Sequence, residues 1–216
     1  MATSKICSYC GVRVATDKEH VFPKNLYPDS KAQSRVQRMR IPSCNICNNG
    51  WSDDEAHFRN ILGLLEKPNE SQRELWETTI LRSFTKLDGA RRIRDLVNNM
   101  RPIEVDGQPR HKIYPGEDAR VVRVVKKVVR GPSHYHQVMT AVPDSRVWVD
   151  VMKYGISDEF LSEMICEHRE QDIVEYRYSV LEDYGTHSAW LITFFEKVTF
   201  IGLVLSSDNS LIEKAD

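Results

Sequence analysis

The chain has 216 residues, 41% hydrophobic and 28% charged, with a formal net charge of −1. That is the composition of an ordinary globular protein, neither disordered nor fibrous. The balance hides an asymmetry: residues 1–110 carry 18 Lys and Arg against 14 Asp and Glu, and the remainder 12 against 17. A mildly basic first half suits phosphate contact. The longest apolar stretch, near residues 190–205, is broken by Glu196 and Lys197, so no segment reaches the roughly 18 apolar residues of a membrane span. The first residues, Met-Ala-Thr-Ser-Lys, lack the apolar region of a signal peptide, and a cytoplasmic protein with reduced thiols is expected.

In chain order, residues 1–66 form a cysteine module. Cys7-Ser8-Tyr9-Cys10 opens it as a knuckle turn, with Gly11 allowing the tight backbone. Residues 12–15 are a short strand candidate. His20-Val21-Phe22-Pro23 reads as extended chain, because a residue before proline avoids the α region. Tyr27-Pro28-Asp29-Ser30 reads as a turn. Residues 31–40 hold Lys31, Arg35, Arg38 and Arg40 without an acid. Cys44-Asn45-Ile46-Cys47 is the second knuckle, followed directly by Asn48. Ser52-Asp53-Asp54-Glu55 has the spacing of a capping box and predicts a helix from there to about residue 65.

A second helical region is expected over residues 71–100, interrupted at Gly89. Residues 101–118, with Pro102, Gly107, Pro109, Pro115 and Gly116, read as loop and as the domain boundary. Beyond them the pattern predicts strands at 121–129, 147–152 and 173–181, a helix at 158–168, and a hairpin of 190–195 with 198–205. The fold class expected is α+β: a zinc-bound module, a helical middle (67–110) and a C-terminal α+β domain (111–216) with an antiparallel sheet.

Two CxxC pairs separated by 33 residues suit one tetrahedral Zn²⁺ held by Cys7, Cys10, Cys44 and Cys47. Four free thiols in a small core are the bland alternative. A closed four-thiolate set leaves no open position, so the zinc is expected to be structural, holding a module too small to build a good core alone. Cys166 reads as a buried small hydrophobe. Between the pairs lies Glu19-His20. Phosphodiester hydrolysis needs an activated water and a cation for the developing charge. A neutral imidazole is a natural base, and Glu19 and Asn48 offer oxygen donors of the kind Mg²⁺ takes. Strand alternation alone would send Glu19 and His20 to opposite sides.

The order CxxC, Glu-His-x-x-Pro, CxxC-Asn resembles the zinc-stabilised branch of the HNH (ββα-metal) nucleases. The likeness covers roughly residues 7–60. It implies a two-stranded ribbon presenting Glu19 as a divalent-metal ligand and His20 as general base. A following helix would present Asn48 as the second ligand of Mg²⁺ or Mn²⁺. Two departures stand out. Many members carry an Asn before the second CxxC that orients the His; here Arg40 occupies that neighbourhood, a candidate phosphate contact, and a backbone carbonyl is expected to orient His20. The usual basic residue after the Asn gives way to Asp53, Asp54 and Glu55, read either as helix-capping acids or as added ligands.

Other candidates are weighed against solvated or packed roles. They are His57 and Asn49 for the site, and Lys24, Arg38, Arg40, Arg59, Arg91, Arg92 and Arg94 for nucleic acid. His134 and His136 could share a strand face; His111, His168 and His187 have no partner pattern. Tyr135, Trp148, Tyr176, Tyr178 and Trp190 could line a pocket but more often form core. The expected activity is metal-dependent endonucleolytic hydrolysis of nucleic acid, DNA favoured over RNA. A homodimer is a candidate assembly, and a regulatory ligand or partner is a candidate for the C-terminal domain. The competing reading is a non-catalytic treble-clef zinc module that docks nucleic acid or a protein through residues 31–40.

Overall fold

In a computed structural model that describes residues 5–31, 38–168, 172–181 and 185–207, β1 (Asp17–His20) pairs antiparallel with β2 (Arg40–Ser43). Glu19 lies opposite Ile41, and His20 opposite Arg40. Arg35 and the His168 side chain lie outside the described residues. Cys44 leads directly into α1 (Asn45–Asn49), and α2 (Ser52–Leu62) follows.

The expected capping box does not form. Trp51 is the N-cap of α2, the Ser52 hydroxyl donates to the Asn49 carbonyl at 2.9 Å, and Glu55 binds the Lys127 ammonium instead. The helix ends at Leu62, before residue 65, at a Gly63 cap. Asn69 caps α3 (Glu70–Leu75), accepting from the Gln72 N–H at 2.9 Å. A π-helical turn, Trp76–Ile80, leads on to α4 (Leu81–Phe84), and α5 (Gly89–Asn98) follows.

The stretch expected as loop is a hairpin of β3 (Met100–Val105) and β4 (Gln108–Ile113). Its turn uses Asp106 and Gly107, with φ of 51° and 71°, the backbone a tight hairpin demands. The ribbon is largely exposed on both faces, so no apolar alternation marks it. Pro102 and Pro109 are tolerated because each strand pairs on one side only.

Residues 121–129, expected as strand, belong to α6 (Ala119–Tyr135). Asp118 caps it, accepting from the N–H groups of Arg120 and Val121 at 2.9 and 3.4 Å. Val121, Val124, Val125, Val128 and Val129 are fully buried and recur at helical spacing, so burial of one face outweighs the modest helix propensity of valine. The pair His134 and His136 therefore sits at a helix end, not on a strand.

β5 (Val147–Val151) follows. Residues 158–168, expected as one helix, divide into α7 (Asp158–Glu163), capped by Ser157, and β6 (Ile165–His168). Then come β7 (Val174–Val180), β8 (Thr186–Phe194) and β9 (Val198–Leu205). The sheet order is β5-β9-β8-β7-β6, antiparallel throughout. Phe195 and Glu196, with φ of 52° and 58°, turn the last hairpin.

The protein is thus a mixed helix-and-sheet fold with one continuous core that joins Val21, Phe22, Phe58, Val129 and Trp190. Tyr176 and Trp190 are fully buried and Tyr178 stacks on Trp190 with centroids 4.7 Å apart; these aromatics are core. No helix among the described residues is long and apolar enough to cross a membrane.

α6 is the element through which the two ends of the chain meet. It packs against α2, β2, β5 and β9. Two glycines let it approach closely on both sides. A Cβ at Gly202 would lie 2.4 Å from a Val129 methyl, and one at Gly131 would lie 2.5 Å from a Val21 methyl.

Candidate functional site

The Sγ atoms of Cys7, Cys10, Cys44 and Cys47 all lie within 4.8 Å of one another. A tetrahedral ion with bonds of about 2.3 Å needs sulfur separations of roughly 3.8 Å, so the set can hold a metal ion such as zinc with little contraction. The knuckles are built locally: the Gly11 N–H donates to the Cys7 carbonyl at 2.9 Å and the Asn48 N–H to the Cys44 carbonyl at 2.9 Å. The Arg13 N–H points at Cys10 Sγ at 3.5 Å, a contact that favours thiolate. The Ser8 N–H donates to the Pro42 carbonyl at 2.9 Å and fixes the first knuckle to β2. Cys166 stands apart on β6, half-buried rather than buried as expected.

Beside this cluster opens a cleft of about 320 Å³ lined by Glu19, His20, Asn48, Asn49, Asp17 and Glu55, and by the exposed cations Lys18, Lys24 and Arg40. Glu19 and His20 thus reach one cleft despite strand alternation, His20 from the last position of β1. Burial first, then Arg40, Lys24, Arg38 and Lys127, lower the His20 pKa to about 4; its ring is neutral at pH 7. Among the described residues no backbone carbonyl accepts a hydrogen bond from that ring, contrary to expectation.

Asn48 donates through Nδ2 to Asp17 Oδ2 at 3.0 Å. A carboxylate only accepts, so this bond sets the amide orientation and leaves Oδ1 as the free oxygen. Asn49 instead donates to Asn45 Oδ1 at 2.5 Å.

Behind two of the cleft's carboxylates lies a residue from outside the cysteine module. Lys127, on α6, has a side chain with 0% exposure, and its Nζ binds Oε1 of both Glu19 and Glu55. Burial pushes the Glu19 carboxyl up, and the Lys127 ammonium pulls against it. Two neighbours of Lys127 on α6 also reach the module. Arg123 pairs with Asp54. Arg130 donates to the Tyr9 carbonyl at 2.5 Å and to the Val142 carbonyl at 2.7 Å. Positions 123, 127 and 130 form one helical stripe, which a strand reading of the segment concealed.

The acidic run after Trp51 therefore divides: Asp54 goes to Arg123, Glu55 to the cleft, and Asp53 lines a separate crevice with His57, Arg91 and Arg92. His57, weighed as a site residue against a solvated or packed one, is buried and bonded to Asp118 at 2.6 Å. Arg91 and Arg92 pair with Asp88. Arg38 lies over the Tyr27 ring at 4.0 Å and donates to the Lys31 carbonyl. Arg59 is buried against the Asn60 amide oxygen. Asp17 and Lys127 were missed by sequence reasoning. Asp17 lies two residues before Glu19, where the period of a strand puts it on the same face. Lys127 carried no local signal.

A larger cleft of about 400 Å³ at residues 112–117 and 150–153 has mixed charge, with Lys112 and Lys153 against Glu117 and Asp150, and gathers no histidine or cysteine. No protein-family model, curated protein or solved structure matches the chain.

Proposed function

We propose that this chain is a divalent-metal-dependent endonuclease of the HNH (ββα-metal) type, with its four cysteines holding a structural Zn²⁺ in a treble-clef-like module. The observation that supports the reading is that Glu19, His20 and Asn48 line one cleft next to the four-thiol cluster.

The donors suit a hard cation: the Glu19 carboxylate and the Asn48 carbonyl oxygen are oxygen ligands in an open cleft. Mg²⁺ or Mn²⁺ bound there would supply charge stabilisation to the phosphate and the leaving oxygen. His20, held neutral, accepts the proton of the attacking water. Asp17 binds the Asn48 Nδ2 and leaves the amide oxygen available as a ligand. The exposed Arg40 and Lys24 attract the flanking phosphates. DNA is the favoured substrate, by the resemblance.

The test is a cleavage panel of plasmid, branched DNA, single strands and RNA with Mg²⁺ or Mn²⁺. His20→Ala should lower the rate about 10²–10⁴-fold. Wild-type protein that cuts nothing, or a His20→Ala variant that cuts as well as wild type, would sink the reading.

A further inference from the structure

Lys127 is the only fully buried lysine among the described residues. An isolated buried ammonium is costly, and it persists only where partners compensate it. Here the partners are two carboxylates that themselves line the cleft, Glu19 from β1 and Glu55 from α2. Lys127 engages Oε1 of each, so Oε2 of each carboxylate is not taken up by the lysine. Without the ammonium, the two half-buried carboxylates would present both negative charges uncompensated.

We infer that Lys127, paired with both Glu19 and Glu55, sets the charge that an ion bound at the divalent-metal site meets. It reduces the charge of the Glu19–Glu55 pair from −2 to −1. The inference rests on the metal-site reading above but assigns two residues that the resemblance does not include. It also means that residues 1–66 line the cleft but take the counter-charge of its two glutamates from α6.

The experiment is Mn²⁺ binding to the full chain, followed by electron paramagnetic resonance, which the closed-shell Zn²⁺ does not disturb. Zinc content and circular dichroism check folding. Glu19→Gln should abolish Mn²⁺ binding and thereby tests the site itself. Lys127→Met raises the negative charge at the site and should tighten Mn²⁺ binding on the order of tenfold or more. Glu55→Gln lowers it and should weaken binding on the order of tenfold or more. The double variant Lys127→Met/Glu55→Gln restores the charge and should return to within about threefold of wild type.

A lysine that merely clamps the fold would lower stability without moving Mn²⁺ affinity. A folded Lys127→Met with unchanged or weaker affinity overturns the inference. If Lys127→Met does not fold, Glu55→Gln with wild-type affinity overturns it alone. A wild-type protein that binds no Mn²⁺ defeats the functional reading and this inference together. A wild-type protein that binds Mn²⁺ and cuts, with none of these opposite shifts in the variants, defeats only the inference.

Discussion

Lys127 and Glu19, 108 residues apart in the chain, meet as an ion pair in which the lysine has no exposed surface. The pair ties α6 to β1, and its other half, Glu55, ties α6 to α2. Removing one partner of a buried pair leaves the other charge uncompensated, at a cost of about 3–5 kcal/mol. Lys127→Met should therefore lower unfolding stability in urea by about that amount, and adding Glu55→Gln should recover part of the loss. A Lys127→Met variant within about 1 kcal/mol of wild type would contradict the buried pairing.

Gly131 offers a test of how closely α6 approaches the module. Alanine is about 1 kcal/mol better than glycine inside a helix. Its Cβ, however, would lie 2.5 and 2.9 Å from the two methyls of Val21, and Val21 is fully buried. Overpacking of this kind costs about 1–3 kcal/mol, so the steric effect should win. Gly131→Ala should lower the melting temperature, and Val21→Ala in the same chain should relieve the clash. A rise in melting temperature for the single variant would show that the contact is loose.

Acid stability should depend on Asp118. Burial pushes its carboxyl up, but the His57 hydrogen bond and charge, with the Arg120 and Val121 N–H groups, outweigh this and hold it below the ordinary carboxylate value. A depressed carboxyl contributes stability that is complete above its unfolded pKa of about 3.9 and is lost as pH falls through the folded value. Asp118→Asn should thus be destabilising at pH 7, and its gap from wild type should close below about pH 4. Urea unfolding at pH 7 and pH 3 checks this; a gap that stays constant would separate Asp118 from the effect.

The four-thiol cluster predicts one tightly held zinc per chain by elemental analysis. Cys44→Ser should lose it, since three thiolates leave the tetrahedral set open, whereas Cys166→Ser should retain it. Chelation should expose four additional reactive thiols and loosen β1 and β2, because the first knuckle is joined to β2 by the Ser8 N–H bond to the Pro42 carbonyl and by the Cys7 contact with Ser43. Equal zinc content in the two variants would refute the assignment.

What could be read from the chain was what is local. CxxC spacing encodes a knuckle within four residues, and the alternation of Val174, Tyr176 and Tyr178 marks β7 because their face is buried and the other is only partly so. Segments with weaker local contrast were misread for physical reasons. β3 and β4 lie open on both faces, so nothing in their polarity alternates. α6 is rich in β-branched valine, and its helical period emerges only when Val121, Val124, Val125, Val128 and Val129 are seen as one buried stripe. β6 is indistinguishable from the end of α7 in the sequence because four residues are too few to carry a period.

The sequence by itself determined the four-cysteine cluster, the β-rich second half, and Glu19, His20 and Asn48 as candidates, since each depends on neighbours within a few residues or on a fixed spacing. Tertiary structure alone decided which acids belong to the cleft. Glu55 faces it and Asp54 does not, because α6 sets Lys127 beneath the one and Arg123 beside the other. That choice comes from the packing of α6 residues that lie 69 and 72 positions away in the chain, for which Coulomb attraction across a buried contact leaves no trace in the local pattern.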